Sequence, residues 1–223
     1  MNNKGNVAKE ISSMHFQWAG WLLGILLMIY AIFKWGILPI YLGGETFFHF
    51  AYEPARIFSL VIGIISGGTM FSPFVRLGTT RKSTYAGNII AAFTITACLA
   101  ITISIISAAE SFLLGSGGFP EPWALAILTL FVHIFINYMA GWMITAGYLR
   151  FGGIGMTVFI LTALAITIFS DGLLNIDADT SPSFLPDTLA YRGIIAIFAG
   201  SVLLAVLIWI GRRTTAHMPI KIK

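Results

Sequence analysis

Ala86-Gly-Asn-Ile-Ile-Ala-Ala-Phe-Thr-Ile-Thr-Ala-Cys-Leu-Ala-Ile-Thr-Ile-Ser-Ile-Ile-Ser-Ala-Ala109 runs for 24 residues without a charged side chain. A helix needs about 20 such residues to cross the hydrocarbon core of a bilayer, with a range of about 17–25. The stretch therefore reads as a membrane span. Five more runs read the same way, near 16–34, 55–71, 123–148, 154–170 and 193–210. The runs 55–71 and 154–170 are short, so their flanks extend them, and 123–148 is long enough to tilt. Arg150-Phe-Gly-Gly153 marks a sharp turn between two runs, because glycine accepts turn geometry that other residues resist. The expected fold is an all-α integral membrane protein. Residues 1–223 form one transmembrane domain with six transmembrane helices.

Composition points the same way. Of the 223 residues, 57% are hydrophobic and only 10% charged, against about 25% charged in soluble domains. The mean hydropathy is +0.88. An isoelectric point near 9.3 would suit a nucleic-acid binder, but the cations cluster at the edges of apolar runs, where membrane topology explains them. The single cysteine, Cys98, lies inside an apolar run. It allows no intrachain disulfide and no multi-cysteine metal site. The first run is long and no small-residue cleavage site follows it, so no cleavable signal peptide is expected.

Charge then orients the spans. With the N-terminus in the cytoplasm, the inner segments hold Lys4, Lys9, Arg76, Arg81, Lys82, Arg150, Arg212, Arg213, Lys221 and Lys223. The outer edges hold only Lys34, Arg56 and Arg192, together with every acid except Glu10. The positive-inside rule favours this arrangement. The expected location is a plasma membrane, with multiple crossings, both termini cytoplasmic and a bacterial origin.

Residues 1–15 read as an interfacial helix. Val7, Ile11, Met14 and Trp18 follow helical spacing, with Lys4, Lys9, Glu10 and Ser12 off that stripe, and such a face can lie among headgroups. The outer loop 35–54 carries Trp35, Phe47, Phe48, Phe50 and Tyr52, which suit an aromatic belt. Phe184-Leu-Pro186 in loop 171–192 can dip back toward the membrane edge. Gly20 with Gly24, and Gly63 with Gly67, have the four-residue spacing that lets helix backbones approach.

The sequence argues against catalysis. It has no Gly-x-Ser-x-Gly elbow and no His-Glu-x-x-His helix. Gly115-Ser-Gly-Gly118 is not followed by Gly-Lys-Ser/Thr, so it reads as an outer turn rather than a phosphate loop. No catalytic residue, metal ligand or bound cofactor is expected in this chain. His133 is the one deep ionisable group, with Asn137 four residues on and on the same helix face. The pair either lines a pathway or makes a packing hydrogen bond.

The distinctive loop is Ser72-Pro-Phe-Val-Arg-Leu-Gly-Thr-Thr-Arg-Lys-Ser-Thr-Tyr-Ala86, basic and without an acid. Ser72 can cap a short helix with Pro73 in its first position. Gly78 can end that helix in the left-handed conformation. Thr79 or Thr80 can then cap the next helix. The loop reads as a one-to-two-turn surface helix followed by a tight corner. Arg81 and Lys82 fall in a first turn, where the helix dipole disfavours cations. That conflict needs an anionic neighbour, either lipid headgroups or a docking partner.

Arg76-Leu-Gly-Thr-Thr-Arg-Lys-Ser-Thr-Tyr-Ala-Gly87 resembles the inner loop of small six-span ABC-2-type transporter permeases. Members of that family carry an Arg/Asn-x-Gly-x-Ser/Thr-Arg-Lys-x-x-Phe/Tyr-x-Gly pattern between their second and third spans. The six-span plan, cytoplasmic tails and N-terminal amphipathic segment fit the same family. The resemblance implies a permease subunit of an ATP-driven ABC exporter. A separate soluble ABC ATPase would bind ATP and magnesium and seat the loop as a coupling helix. It implies Arg76, Gly78, Arg81, Lys82 and Tyr85 as contact or corner residues. Phe74 joins them on physical grounds, as an apolar anchor.

The expected partners are that ATPase, a second permease copy or a related permease, and membrane lipids, with no nucleic acid. An amphipathic or hydrophobic cargo is expected, a peptide in preference to a lipid or drug. Two other readings compete: a non-transporting immunity or scaffold protein, and a six-span substrate-binding subunit of a vitamin importer.

Overall fold

Several hydroxyl side chains inside the apolar runs find partners within their own helices, which lowers the cost of burying them or placing them in lipid. Ser59 donates to the Ala55 carbonyl, Thr96 to Ala92, Ser104 to Ala100 and Thr215 to Gly211, at 2.7–2.9 Å. Each bond reaches back four residues along its own helix. The computed structural model describes residues 3–34, 46–114, 122–174 and 192–216, and these are all-helical apart from short turns and extended residues at the helix ends.

The elements in order are α1 (Asn3–Lys34), α2 (Phe47–Ile65), a π-helical turn (Ser66–Met70), α3 (Phe71–Arg76), α4 (Arg81–Leu114), α5 (Trp123–Leu174) and α6 (Arg192–Ala216). Among the described residues, five helical stretches are long and apolar enough to cross a membrane: Gly5–Lys34, Phe47–Arg76, Arg81–Leu113, Trp123–Leu174 and Arg192–Ala216. Their outward faces are apolar. Trp21, Ile57, Ile105, Phe112, Phe198 and Trp209 are all more than half exposed. A soluble monomer rarely exposes so much contiguous apolar surface, so these faces are compatible with lipid.

Two expected spans, 123–148 and 154–170, share one element. A straight helix of 52 residues would be about 78 Å long, well beyond a core about 30 Å thick. The element is not straight. Gly152 has φ 70° and ψ −150°, a region open to essentially no other residue. His133 meets Ser170 and Asp171 across the break, so the two arms of α5 lie side by side. The reversal is tight: a Cβ on Gly147 would stand 2.4 Å from the Phe159 ring.

The expected interfacial segment is not a separate helix. Residues 3–34 form α1 without a break. Val7 and Ile11 are buried with Ala91 of α4, and Trp18, Ile65 and Phe74 pack against them. The stripe read as facing headgroups instead covers protein, although Met14 remains exposed.

The surface helix expected after a Ser72 cap is also revised. Phe47–Arg76 is one helical run that continues through the π turn. Ser72 therefore lies within the run and Pro73 is the third residue of α3. Proline inside a helix removes a donor and crowds the carbonyl four residues back. A wider π turn just before it relieves that crowding. The true corner is only Leu77–Thr80.

Packing pairs α1 with α4, α2 with α5, and α5 with α6. Glycine sets the closest of these approaches. A Cβ on Gly63 would lie 2.1 Å from the Tyr138 carbonyl oxygen, and one on Gly141 would lie 2.0 Å from the Leu60 carbonyl oxygen. Gly67 lies against Trp142 and Thr145. The Gly63/Gly67 pair thus brings α2 onto α5. The Gly20/Gly24 pair meets nothing within 4 Å.

The expected features at Lys4 (side chain), Trp35, Glu45, Gly115–Gly118, Glu121, Asp177, Asp179, Phe184–Pro186, Asp187, Lys221 and Lys223 lie outside the described residues.

Candidate docking corner at the basic end

Contacts between helices bring one set of ends together. Val7 and Ile11 of α1 share a cluster with Phe74. Tyr85 and Trp142 pack with Val75 and Leu149. Arg81 reaches Ala216 at the end of α6. The beginning of α1, the corner 77–80, the reversal at 150–153 and the end of α6 therefore share one end of the molecule. That end carries Lys9, Arg76, Arg81, Lys82, Arg150, Arg212 and Arg213, with Glu10 as its acid among the described residues. The other described acids, Glu53, Glu110 and Asp171, sit at the opposite end with Lys34, Arg56 and Arg192.

At the basic end the backbone makes a fixed corner. Gly78 has φ 88°, the left-handed conformation its sequence position calls for. Its N–H donates to the Val75 carbonyl, and the Thr79 N–H donates to the Phe74 carbonyl, both at 3.1 Å. Those two bonds are the Schellman pattern that closes a helix C-terminus. Thr80 then caps α4: its Oγ1 accepts from the Ser83 N–H at 3.1 Å, the usual cap bond to the third helical residue. Thr79 turns inward, bonding the Phe74 carbonyl and the Thr84 hydroxyl. The corner is therefore stiffened by a set of local hydrogen bonds at Phe74, Val75, Thr79 and Thr80.

Side chains divide sharply around it. Arg76, Leu77, Gly78 and Lys82 are exposed, and Arg81 is half-buried. Leu77, 81% exposed, is the apolar residue at the tip. Phe74 and Tyr85 point the other way. Phe74 packs under α1. Tyr85 is buried, donates its hydroxyl to the Ile208 carbonyl at 2.7 Å, and meets the Trp142 ring edge-on. Of the expected contact or corner residues, Phe74 and Tyr85 thus hold the corner from beneath, and Leu77 is the apolar side chain it exposes. The sequence signal for Leu77 was its position directly before the glycine cap.

Arg81 has an internal answer to its unfavourable place. It donates to the Ala216 carbonyl at 3.3 Å, at a helix C-terminus where the dipole favours a cation. Lys82 gains no such partner among the described residues.

His133 and Asn137 are both buried, but they do not pair through their side chains. Asn137 donates to the His133 carbonyl at 3.0 Å. The His133 ring joins a network that spacing alone does not reveal. Its Nε2 lies 2.9 Å from Asp171 Oδ1 and 3.2 Å from the Ser170 hydroxyl, and its Nδ1 lies 2.7 Å from the Tyr52 hydroxyl. A carboxylate only accepts, so Nε2 carries a proton, and a neutral ring then accepts from Tyr52. Arg56 bridges Glu53 and the same Asp171. This network clamps α2 to both arms of α5.

A second clamp sits nearby, at the same end. Glu110 of α4 accepts from Tyr30 and the Phe47 N–H, and pairs with Lys34 at 3.1 Å. Thr46, the N-cap of α2, makes no side-chain cap bond. Glu110 supplies one from outside the helix, at the end where an anion is favoured. His15 is fully buried, with its Nε2 2.8 Å from the Ser66 hydroxyl of the π turn.

Comparison with protein-family models, with curated proteins and with solved structures finds no match. The corner and its neighbours therefore carry the functional reading on their own geometry and on the twelve-residue resemblance at 76–87.

Proposed function

We propose that this chain is the membrane subunit of an ATP-driven exporter of the ABC-2 kind, powered by a separate soluble ATPase. α1, α2 with its π-turn extension, α4, the two arms of α5 and α6 make six crossings. The basic end faces the cytoplasm, and the first turns of α1 reach into the headgroup layer. The observation that carries the reading is the corner at 77–80. It projects an exposed leucine between cations on a backbone stiffened by a glycine closure and a threonine cap. Arginine is enriched among the residues that dominate docking sites, and an exposed leucine gains free energy when a partner buries it.

Arg76, Leu77 and Gly78 form the docking tip, with Arg81 and Lys82 on its flank. Phe74 and Tyr85 tie the tip to α1, α5 and α6. Motion of a docked partner is thereby delivered to three helices at once. The permease works as a homodimer or with a related chain, and moves an amphipathic or hydrophobic cargo, a peptide above lipid or drug.

The test is recovery of an ATPase. Tagged protein solubilised from its native membranes brings down a soluble ATPase with a phosphate-loop sequence. The Arg76→Glu/Leu77→Asp variant inserts normally but recovers about tenfold less, the loss expected for a central anchor. No ATPase with the unaltered protein, or equal recovery with the variant, overturns the proposal.

A further inference from the structure

Beside the corner, the first turns of α4 and the last turns of α6 diverge to leave a groove of about 700 Å³, within the size range of ligand clefts. Its walls are Tyr85, Ala86, Ile89, Ile90 and Ile208. Its mouth carries Arg81, Lys82 and Arg212, and among the described residues no acid lines it. Arg212 and Lys82 are exposed. Neither has a carboxylate partner among the described residues. The groove thus runs from a cationic rim into an apolar cleft, along two helices whose outward faces are apolar.

We infer that this groove binds one anionic phospholipid, with its phosphate at Lys82 and Arg212 and an acyl chain along Ile89, Ile90 and Ile208. Charge complementarity decides the headgroup. Two cations without a carboxylate partner among the described residues, beside the N-terminus of α4, favour a net negative group over a zwitterion. The apolar walls decide the rest, since a free phosphate or a polar peptide gains nothing from three isoleucines. Arg81 forms the rim's third side and is already engaged with the Ala216 carbonyl. A lipid held here would wedge between α4 and α6 directly beneath the corner. The inference rests on the helices lying in a bilayer and is independent of any ATPase.

The test uses the full chain in detergent, titrated separately with dioleoyl phosphatidylglycerol and dioleoyl phosphatidylcholine, with bound lipid counted by native mass spectrometry. The glycerol lipid is retained at concentrations where the choline lipid is not. Lys82→Gln/Arg212→Gln lowers its affinity about thirtyfold, at roughly one membrane-surface charge interaction for each of the two cations. Lys82→Arg/Arg212→Lys keeps it. Arg213→Gln also keeps it, because Arg213 lies over the Trp209 ring and is not part of the groove. Excess glycerophosphoglycerol, which lacks acyl chains, does not displace the lipid. Equal retention of the two lipids, or wild-type affinity in the double glutamine variant, overturns the inference. Displacement by glycerophosphoglycerol also overturns it and reassigns the cations to a free phosphate. Unchanged lipid with loss of a co-purifying protein overturns it and reassigns them to a protein partner.

Discussion

Gly141→Leu is expected to lower the stability of the fold more than any other single change considered. A Cβ at this position would stand 2.0 Å from the Leu60 carbonyl oxygen and 3.0 Å from the Ile64 amide nitrogen. Both are backbone atoms of α2, so no side-chain rotation relieves the clash. The helices must part, and the reciprocal contact of Gly63 with the Tyr138 carbonyl parts with them. Close backbone approach is a main source of helix association where lipid competes equally for apolar surface. The expected loss is about 3 kcal/mol or more, at the upper end of overpacking effects. Thermal unfolding in mild detergent measures it. Gly20→Leu is the control, because nothing lies within 4 Å of that position. A Gly141→Leu protein that melts like the unaltered chain would mean that α2 and α5 are not in this contact.

Asp171→Leu is expected to destabilise nearly as much, for an electrostatic reason. The Arg56 side chain is only 6% exposed, whereas Asp171 is 40% exposed. Removing Asp171 leaves the guanidinium buried with Glu53 alone and leaves His133 Nε2 only the more distant Ser170 hydroxyl, at 3.2 Å. Breaking a buried pair from one side costs about 3–5 kcal/mol. About 3 kcal/mol is expected here, because Glu53 remains and Asp171 is partly solvated. Replacing both partners is a different case, since apolar substitutes for a whole buried pair are often neutral. Arg56→Leu/Asp171→Leu should therefore recover most of the lost stability. A single variant as stable as the unaltered protein, or a double variant worse than the single, would show that the pair is not the clamp described.

The local features were legible because their causes are local. Gly78 and Thr80 announce a helix end and a helix start through backbone chemistry within four residues, and both take those roles. Gly152 likewise marks the reversal in α5. The long apolar runs declare themselves by length. What the sequence conceals is direction and pairing. Tyr85 looks like a contact residue until the Ile208 carbonyl, 123 residues away, is seen to hold it.

Ser72-Pro73 looks like a helix start, because no short-range signal says that the preceding helix continues through a π turn. Two glycine pairs with one spacing have different fates, since only Gly63 and Gly67 find a partner helix. His133 and Asn137 share a face, but the groups that engage the ring lie on α2 and on the far arm of α5. Gly78 and the threonines after it located the corner; the folded chain exposes Leu77 there and turns Phe74 and Tyr85 beneath it.

The central claim is that a soluble ABC ATPase docks on the corner at 77–80. The most direct measurement is cross-linking from single cysteines in a Cys98→Ser background, in membranes of the native host, with adducts identified by peptide sequencing. Leu77→Cys should form an adduct with an ABC ATPase, and Phe112→Cys, equally exposed at the opposite end of α4, should form none. No ATPase adduct from Leu77→Cys, or equal adducts from both positions, would contradict the account.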